Sequence, residues 1–509
     1  MFLLFSLICV SCQGERKSQD IPNNNVDTAL EMERELEVID DPSLWSLGGV
    51  ESCVAPREEV SYQNVSQSFG FDGQNFAGAA IEGGMGLRQH RDQWWLWQVV
   101  PQNAVEARTI EGQVYRLETE YPLSRLYIFD INQDGMDDLL ILGEFLEVVW
   151  AVQTEEEYRE VLLPMENQHG VRDVGLFDIE GDGDLDLWVF QDHPEQAIRG
   201  FVLRQEAAVF STPELFAAGN LLGAVFEALV LDWDNDGDPD LYVCNDFGSE
   251  FGGNSLLENE GGLFIEGDAQ GADIVVDCMG VSSADMDRDG LLDLYVAEGM
   301  GHTLLKNTAD GFVDVTLSVG LLQAEHKQML WGSQIIDYNN DGWFDILVGT
   351  SDLSGFDPNQ MPELFPVWLF EQTQKDVYQE VGMMLGLPQE TLSRIILARD
   401  INQDGIQDLF ISSAQRLAHV FVSDGCTENS WLEIETPADS LVRVFSGEQS
   451  WLLHSSHTPG MAASMDSVAH IGLGAIETVD RIEVQVPWRG IYLLNGPITA
   501  RQRISLMMD

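Results

Sequence analysis

Six acidic nine-residue loops recur in this chain with one register: Asp at the first, fifth and ninth positions, Asp, Asn or Glu at the third, and Gly at the sixth. Their side chains are Asp130, Asn132, Asp134 and Asp138; Asp178, Glu180, Asp182 and Asp186; Asp232, Asp234, Asp236 and Asp240; Asp285, Asp287, Asp289 and Asp293; Asp337, Asn339, Asp341 and Asp345; Asp400, Asn402, Asp404 and Asp408. Ca2+ is a hard cation that takes roughly six to eight oxygens at about 2.3–2.6 Å, from short carboxylate or amide side chains and a backbone carbonyl. Alternate loop positions can aim such side chains at one centre, and a glycine at the sixth allows a sharp turn at positive φ that frees the seventh carbonyl to ligate. A single D-x-D-x-D-G stretch reads equally well as an Asx-rich turn without an ion. Six in one register read differently, because crowding three or four carboxylates into a turn is costly unless a cation neutralises them. The expectation is up to six Ca2+, with metal-ligating rather than catalytic roles for these residues.

An EF-hand loop begins in a similar way but closes on a Glu at its twelfth position and lies between helices. Here each loop is followed by a strand-like apolar run: Leu139 to Ile141, Leu187 to Val189, Leu241 to Val243, Leu294 to Val296, Ile346 to Val348 and Leu409 to Ile411. Each loop therefore joins two β-strands. The loops begin at 130, 178, 232, 285, 337 and 400, and two further strand-sized pieces recur between them, as at 255–264 and 303–316. Four strands in a repeat of about 50 residues are the content of a propeller blade, whereas a β-helix repeats over a far shorter length. The fold expected is all-β: a propeller of seven blades, within a range of six to eight, followed by a small β-rich domain. Six blades carry a loop and span about 115–425; the seventh is ion-free and lies at about 60–114. That stretch holds Trp94, Trp95 and Trp97, which suit packing between blades better than a carbohydrate platform.

Certain phrases resemble a known family. Trp331-Gly332 before its loop, Asp240 to Val243 leading to Asn245-Asp246, and Leu304 to Asn307 followed by Gly311-Phe312 look like FG-GAP/VCBS repeats of the integrin-α-like propeller. Trp431 to Ile434, Ile471 to Gly474, and Val479 to Val484 followed by Val486 to Gly490 resemble, in that order, the ASPIC/UnbV domain of bacterial surface proteins and the cartilage acidic protein family. That family usually reads Trp-Pro-x-Gly where this chain has Pro487-Trp488-Arg489-Gly490. The resemblance implies a calcium-stabilised propeller over 46–425 and an ASPIC/UnbV-like domain over 426–509. Independently of it, Ile482, Val484 and Val486 alternate with Arg481, Glu483 and Gln485, as in a half-buried strand.

With 86 acidic and 25 basic residues the formal charge is −61, which repels nucleic acid and anionic membranes and suits a saline, calcium-containing exterior. The apolar residues 1–12 are too short to span a bilayer and read as an export signal. Val10-Ser11-Cys12 resembles the end of a bacterial lipobox, so Cys12 is a candidate for acylation, with free secretion as the alternative. Residues 13–45, polar and acidic, read as a tether. In an oxidising exterior Cys53, Cys244, Cys278 and Cys426 allow two disulfides; Cys244 with Cys278 and Cys53 with Cys426 are the pairs expected.

No H-E-x-x-H, G-x-S-x-G or P-loop occurs, and His454, His457 and His470 read as core or solvated residues. The chain is thus expected to be a non-enzymatic, monomeric surface module for binding or adhesion, exported to the outer membrane or cell surface or secreted. Its partner is an extracellular or envelope protein or glycan; an assembly role in the envelope is a variant of this. The alternative is an extracellular polysaccharide hydrolase or lyase with its site in the propeller channel.

Overall fold

The computed structural model describes residues 36–508 apart from 54–55, 58, 69–83, 91–92, 101–102, 144–146, 155–156, 164, 166–169, 193–196, 268–270, 322–327, 352–363 and 414–415. The export signal, the lipobox and most of the tether lie outside the described residues.

Among the described residues, seven antiparallel four-stranded units repeat along the chain. The first consists of Met85–His90, Gln93–Val100, Ala104–Thr109 and Val114–Glu118. The first strands of the other six are Leu123–Phe129, Val171–Phe177, Ala224–Leu231, Cys278–Ala284, Met329–Ile336 and Ile396–Arg399. These strands touch those of neighbouring sheets and so line a central axis, the arrangement of a β-propeller. Strands near the axis are buried on both faces, and Asp138–Gly143 and Met329–Ile336 are accordingly continuous apolar runs with polar residues only at special positions.

The seventh sheet takes its fourth strand, Tyr62–Asn64, from the start of the propeller, where it pairs with Arg416–Ser423. The sheet without an acidic loop therefore runs from 85 to 118 rather than from 60 to 114, because 62–64 is spent on closing the ring. Met85, Leu87 and Trp94 of the first sheet pack with Leu397, Phe410 and Val420 of the seventh. Both expected disulfides are formed, Cys244–Cys278 and Cys53–Cys426. No helix among the described residues is long and apolar enough to cross a membrane.

The C-terminal residues form two further sheets around Leu432, Ile434, Val442, Val444, Trp451, Ile471, Ile482 and Val484. Two strands come from the other end of the chain. Val38–Ile39 pairs with Gly490–Thr499, and Trp45–Leu47 pairs with Gln502–Leu506. Residues 38–45, expected to belong to the tether, are instead part of this domain, in which Trp45 is a buried core residue. The expected strand over 481–486 is present, except that Gln485 is buried: its amide donates to Asp232 of the propeller at 2.6 Å.

The same domain sends a segment into the propeller axis. Ala463–Met465 adds a parallel strand to Met85–His90, and Met461, Ala462, Ala463 and Met465 join the core shared by the first and seventh sheets. The hydroxyl of Ser464 accepts a bond from the Ile128 amide at 3.1 Å, and Arg88 pairs with Asp466 at 2.8 Å.

Candidate metal centres

All six loops lie between the first and second strands of their sheets and share one hydrogen-bond pattern. The first Asp accepts the amides of the fifth and sixth residues: Asp130 from Asp134 and Gly135, Asp178 from Asp182 and Gly183, Asp232 from Asp236 and Gly237. Asp285, Asp337 and Asp400 do the same with Asp289 and Gly290, Asp341 and Gly342, Asp404 and Gly405, all within 2.8–3.2 Å. The sixth-position glycines have φ between 82° and 99°, as the sequence implies. The fourth position is also left-handed, with Gln133, Asn235, Arg288, Asn340 and Gln403 at φ 55–65° and Gly181 at 79°. The local Asx bonds that hold such residues in place offset the cost of that conformation.

The ninth Asp is a buried brace. In five loops one of its oxygens accepts the second-position amide, from Ile179, Trp233, Met286, Tyr338 or Ile401. In Asp138 that place is taken by the Trp150 indole at 2.9 Å. Its other oxygen accepts an amide at or just beyond the third strand, from Gln153, Gln205, Asn259, Asn307, Gln372 or Ser423 at 2.7–2.9 Å. A carboxylate oxygen has a second lone pair, so one N–H leaves room for a cation. Gln205, Asn259 and Gln372 extend the brace, donating to the carbonyls of Ile131, Ile179 and Met286 in the loop of a preceding sheet. Sequence reasoning missed these residues, whose role depends on a partner carbonyl in a different sheet.

The oxygens of Asp232, Asp234 and Asp240 lie within 4.8 Å of one another, as do those of Asp285, Asp287 and Asp289. Two metal–oxygen bonds of calcium length, about 2.3–2.6 Å each, span such separations, so both clusters could hold a metal ion. Without a cation, burial pushes the Asp232 carboxyl up to about 7, Asp293 to about 8, and Asp138 and Asp285 to about 6. Protein cations approach several of the loops directly. Arg204 pairs with Glu180, while Lys306 pairs with Asp287 and Lys375 stands 3.3 Å from it.

The C-terminal domain seats on five of the loops. Trp488 donates its indole N–H to the Asp178 carbonyl at 2.7 Å, Arg443 bonds Asn235, and Trp451 donates to the Gly342 carbonyl at 2.9 Å, with the Arg288 guanidinium 5.0 Å from its ring centroid. His470 lies 2.8 Å from the Asn340 side chain, and Arg503 pairs with Asp400 at 3.1 Å. Arg503 and Arg399 also grip buried Glu433, each at 2.6 Å. Burial alone would raise the Glu433 carboxyl, but Arg399, His470 and Arg503 together hold it down to about 2. Of the histidines read as core or solvated, His454 is buried and His457 half-buried, and burial lowers them to about 4 and about 3.

No curated protein matches the chain. Among solved structures, BBS1N in complex with ARL6DN is similar at a TM-score of 0.40 and 10% identity, over 75% of this chain and 98% of that one. YCF48 from Cyanidioschyzon merolae is similar at 0.39 and 8%, over 69% and 98%. Residues 232–296, which contain the third and fourth loops in chain order, match the FG-GAP-like repeat family model.

Proposed function

We propose that this chain is an exported, calcium-binding interaction module, in which up to six ions harden one face of the propeller and seat the C-terminal domain upon it. The observation that carries this reading is the recurrence of one loop geometry: in all six loops the first Asp clamps the fifth and sixth amides, and in the loops at 232 and 285 three carboxylates lie within 4.8 Å of one another. The FG-GAP-like match supports a propeller used for binding. Two disulfides and the apolar leader support export, as does the resemblance of 431–490 to the ASPIC/UnbV domain of surface proteins. Its partner is an extracellular or envelope protein or glycan, met on the surfaces that the C-terminal domain leaves open. Binding is favoured over catalysis because Met461, Ala462, Ala463 and Met465 fill the axis where a channel enzyme would place its site.

Calcium counting and thermal unfolding test this together. About four to six ions per molecule are expected, and each ion held at a hundredfold excess over its Kd adds about 2.7 kcal/mol. A chain that holds no calcium and melts alike with and without chelator would sink the proposal.

A further inference from the structure

We infer a saccharide-binding cleft between the first and second sheets. It resides in the sheet without an acidic loop, where the sequence has its tryptophan cluster. Along Gln93–Val100 the side chains alternate: Trp94 packs toward the seventh sheet, while Trp95 and Trp97 face the second. Trp97 and Tyr115 both pair in register with Ala107, whose small side chain lets the two rings meet above it at 5.8 Å. Tyr158 of the second sheet completes a triangle, 6.1 Å from Trp97 and 5.9 Å from Tyr115.

Trp97 is buried as packing between sheets requires, yet Tyr115 is 37% exposed and the aromatic group borders a cleft of about 210 Å³. That volume suits a single sugar ring rather than an extended chain. Its rim is polar, with His90, Asp137, Gln153 and Glu157 offering donors and acceptors around the aromatic floor. An apolar floor with a few convergent polar groups is the usual build of a small-ligand site. Aromatic rings meet the C–H face of a pyranose while the rim bonds its hydroxyls; Arg88, which also lines the cleft, is already paired with Asp137 and Asp466, so Asp137 and Glu157 favour neutral sugars over uronates or sulfated ones. Asp137 belongs to the 130–138 loop, so the cleft adjoins the one loop for which no contact with the C-terminal domain is described.

The inference deepens the interaction-module reading by naming a ligand class. Saturation-transfer NMR on the full chain in excess calcium, against methyl glycosides of neutral hexoses and N-acetylhexosamines, tests it. Transfer to at least one neutral glycoside is expected, reduced at least tenfold in Tyr115→Ala and in Trp95→Ala at unchanged melting temperature. Methyl glucuronide should show no transfer. Three results would each overturn the inference: no neutral glycoside binding, binding that survives both substitutions, or tetramethylammonium occupying the aromatic group while sugars do not. Failure with the calcium count intact removes the saccharide and leaves the calcium module standing.

Discussion

The loops at 130 and 400 begin with the same six residues, Asp-Ile-Asn-Gln-Asp-Gly, and fold with the same bonds, yet they occupy opposite environments. Asp130 is half-buried and Gly135 has open space where a Cβ would stand. Asp400 is fully buried beneath Arg503, and a Cβ on Gly405 would fall inside the Trp431 indole. One hexapeptide therefore makes an exposed cradle at one place and a cornerstone of a domain interface at another. Local sequence sets the shape of the loop; its surroundings set what losing that loop costs.

The largest expected effect is on the covered side. Glu433→Ala strands Arg399 in a buried site and leaves Arg503 with Asp400 alone, and should destabilise by about 3–5 kcal/mol in denaturant titration. Gly405→Ala, which meets both a positive φ and the Trp431 ring, should cost about 2–4 kcal/mol. Gly135→Ala meets the backbone conformation alone and should cost about 1–2 kcal/mol. Equal losses for the two glycine variants would break the comparison.

A pH experiment sharpens it. In chelator, the raised carboxyls at Asp232 and Asp293 bind protons more tightly folded than unfolded, so stability falls as pH rises from about 4 through about 8. The metal-free protein should melt lower at pH 8 than at pH 6, and saturating calcium should abolish the difference. Glu433 acts with the opposite sign and lower down, since its depressed carboxyl withdraws stability as pH falls from about 4.5 to about 2. In chelator the smallest effect belongs to the open loop, where Asp130→Asn should cost about 1 kcal/mol or less. At a hundredfold excess of calcium over its Kd the same substitution, by removing one ion, should cost about 2.7 kcal/mol more.

The cradles were legible because their information is local: an Asp eight residues after another, a glycine between them and an apolar run behind. The repeat likewise announced four-stranded units. What stayed hidden depended on distant partners. Val38, Ile39 and Trp45 to Leu47 are too few to look like strands until Gly490–Thr499 and Gln502–Leu506 provide edges for them. The segment that fills the axis, 460–466, is small and polar with two methionines, a composition that suggests a loop until Gly86 and Gly332 make space for it. The fourth-position left-handed residues follow no composition rule, being Gln, Asn, Arg or Gly, and are set by the first Asp's bonds.

The borrowed strands also fix an order of assembly. Residues 38–47 find their partners only when 490–506 exist, and Tyr62–Asn64 waits for Arg416–Ser423. A chain delivered N-terminus first thus exposes unpaired edges at its beginning until its end arrives, and contacts of such long separation form slowly. Residues made early are among the last to be satisfied.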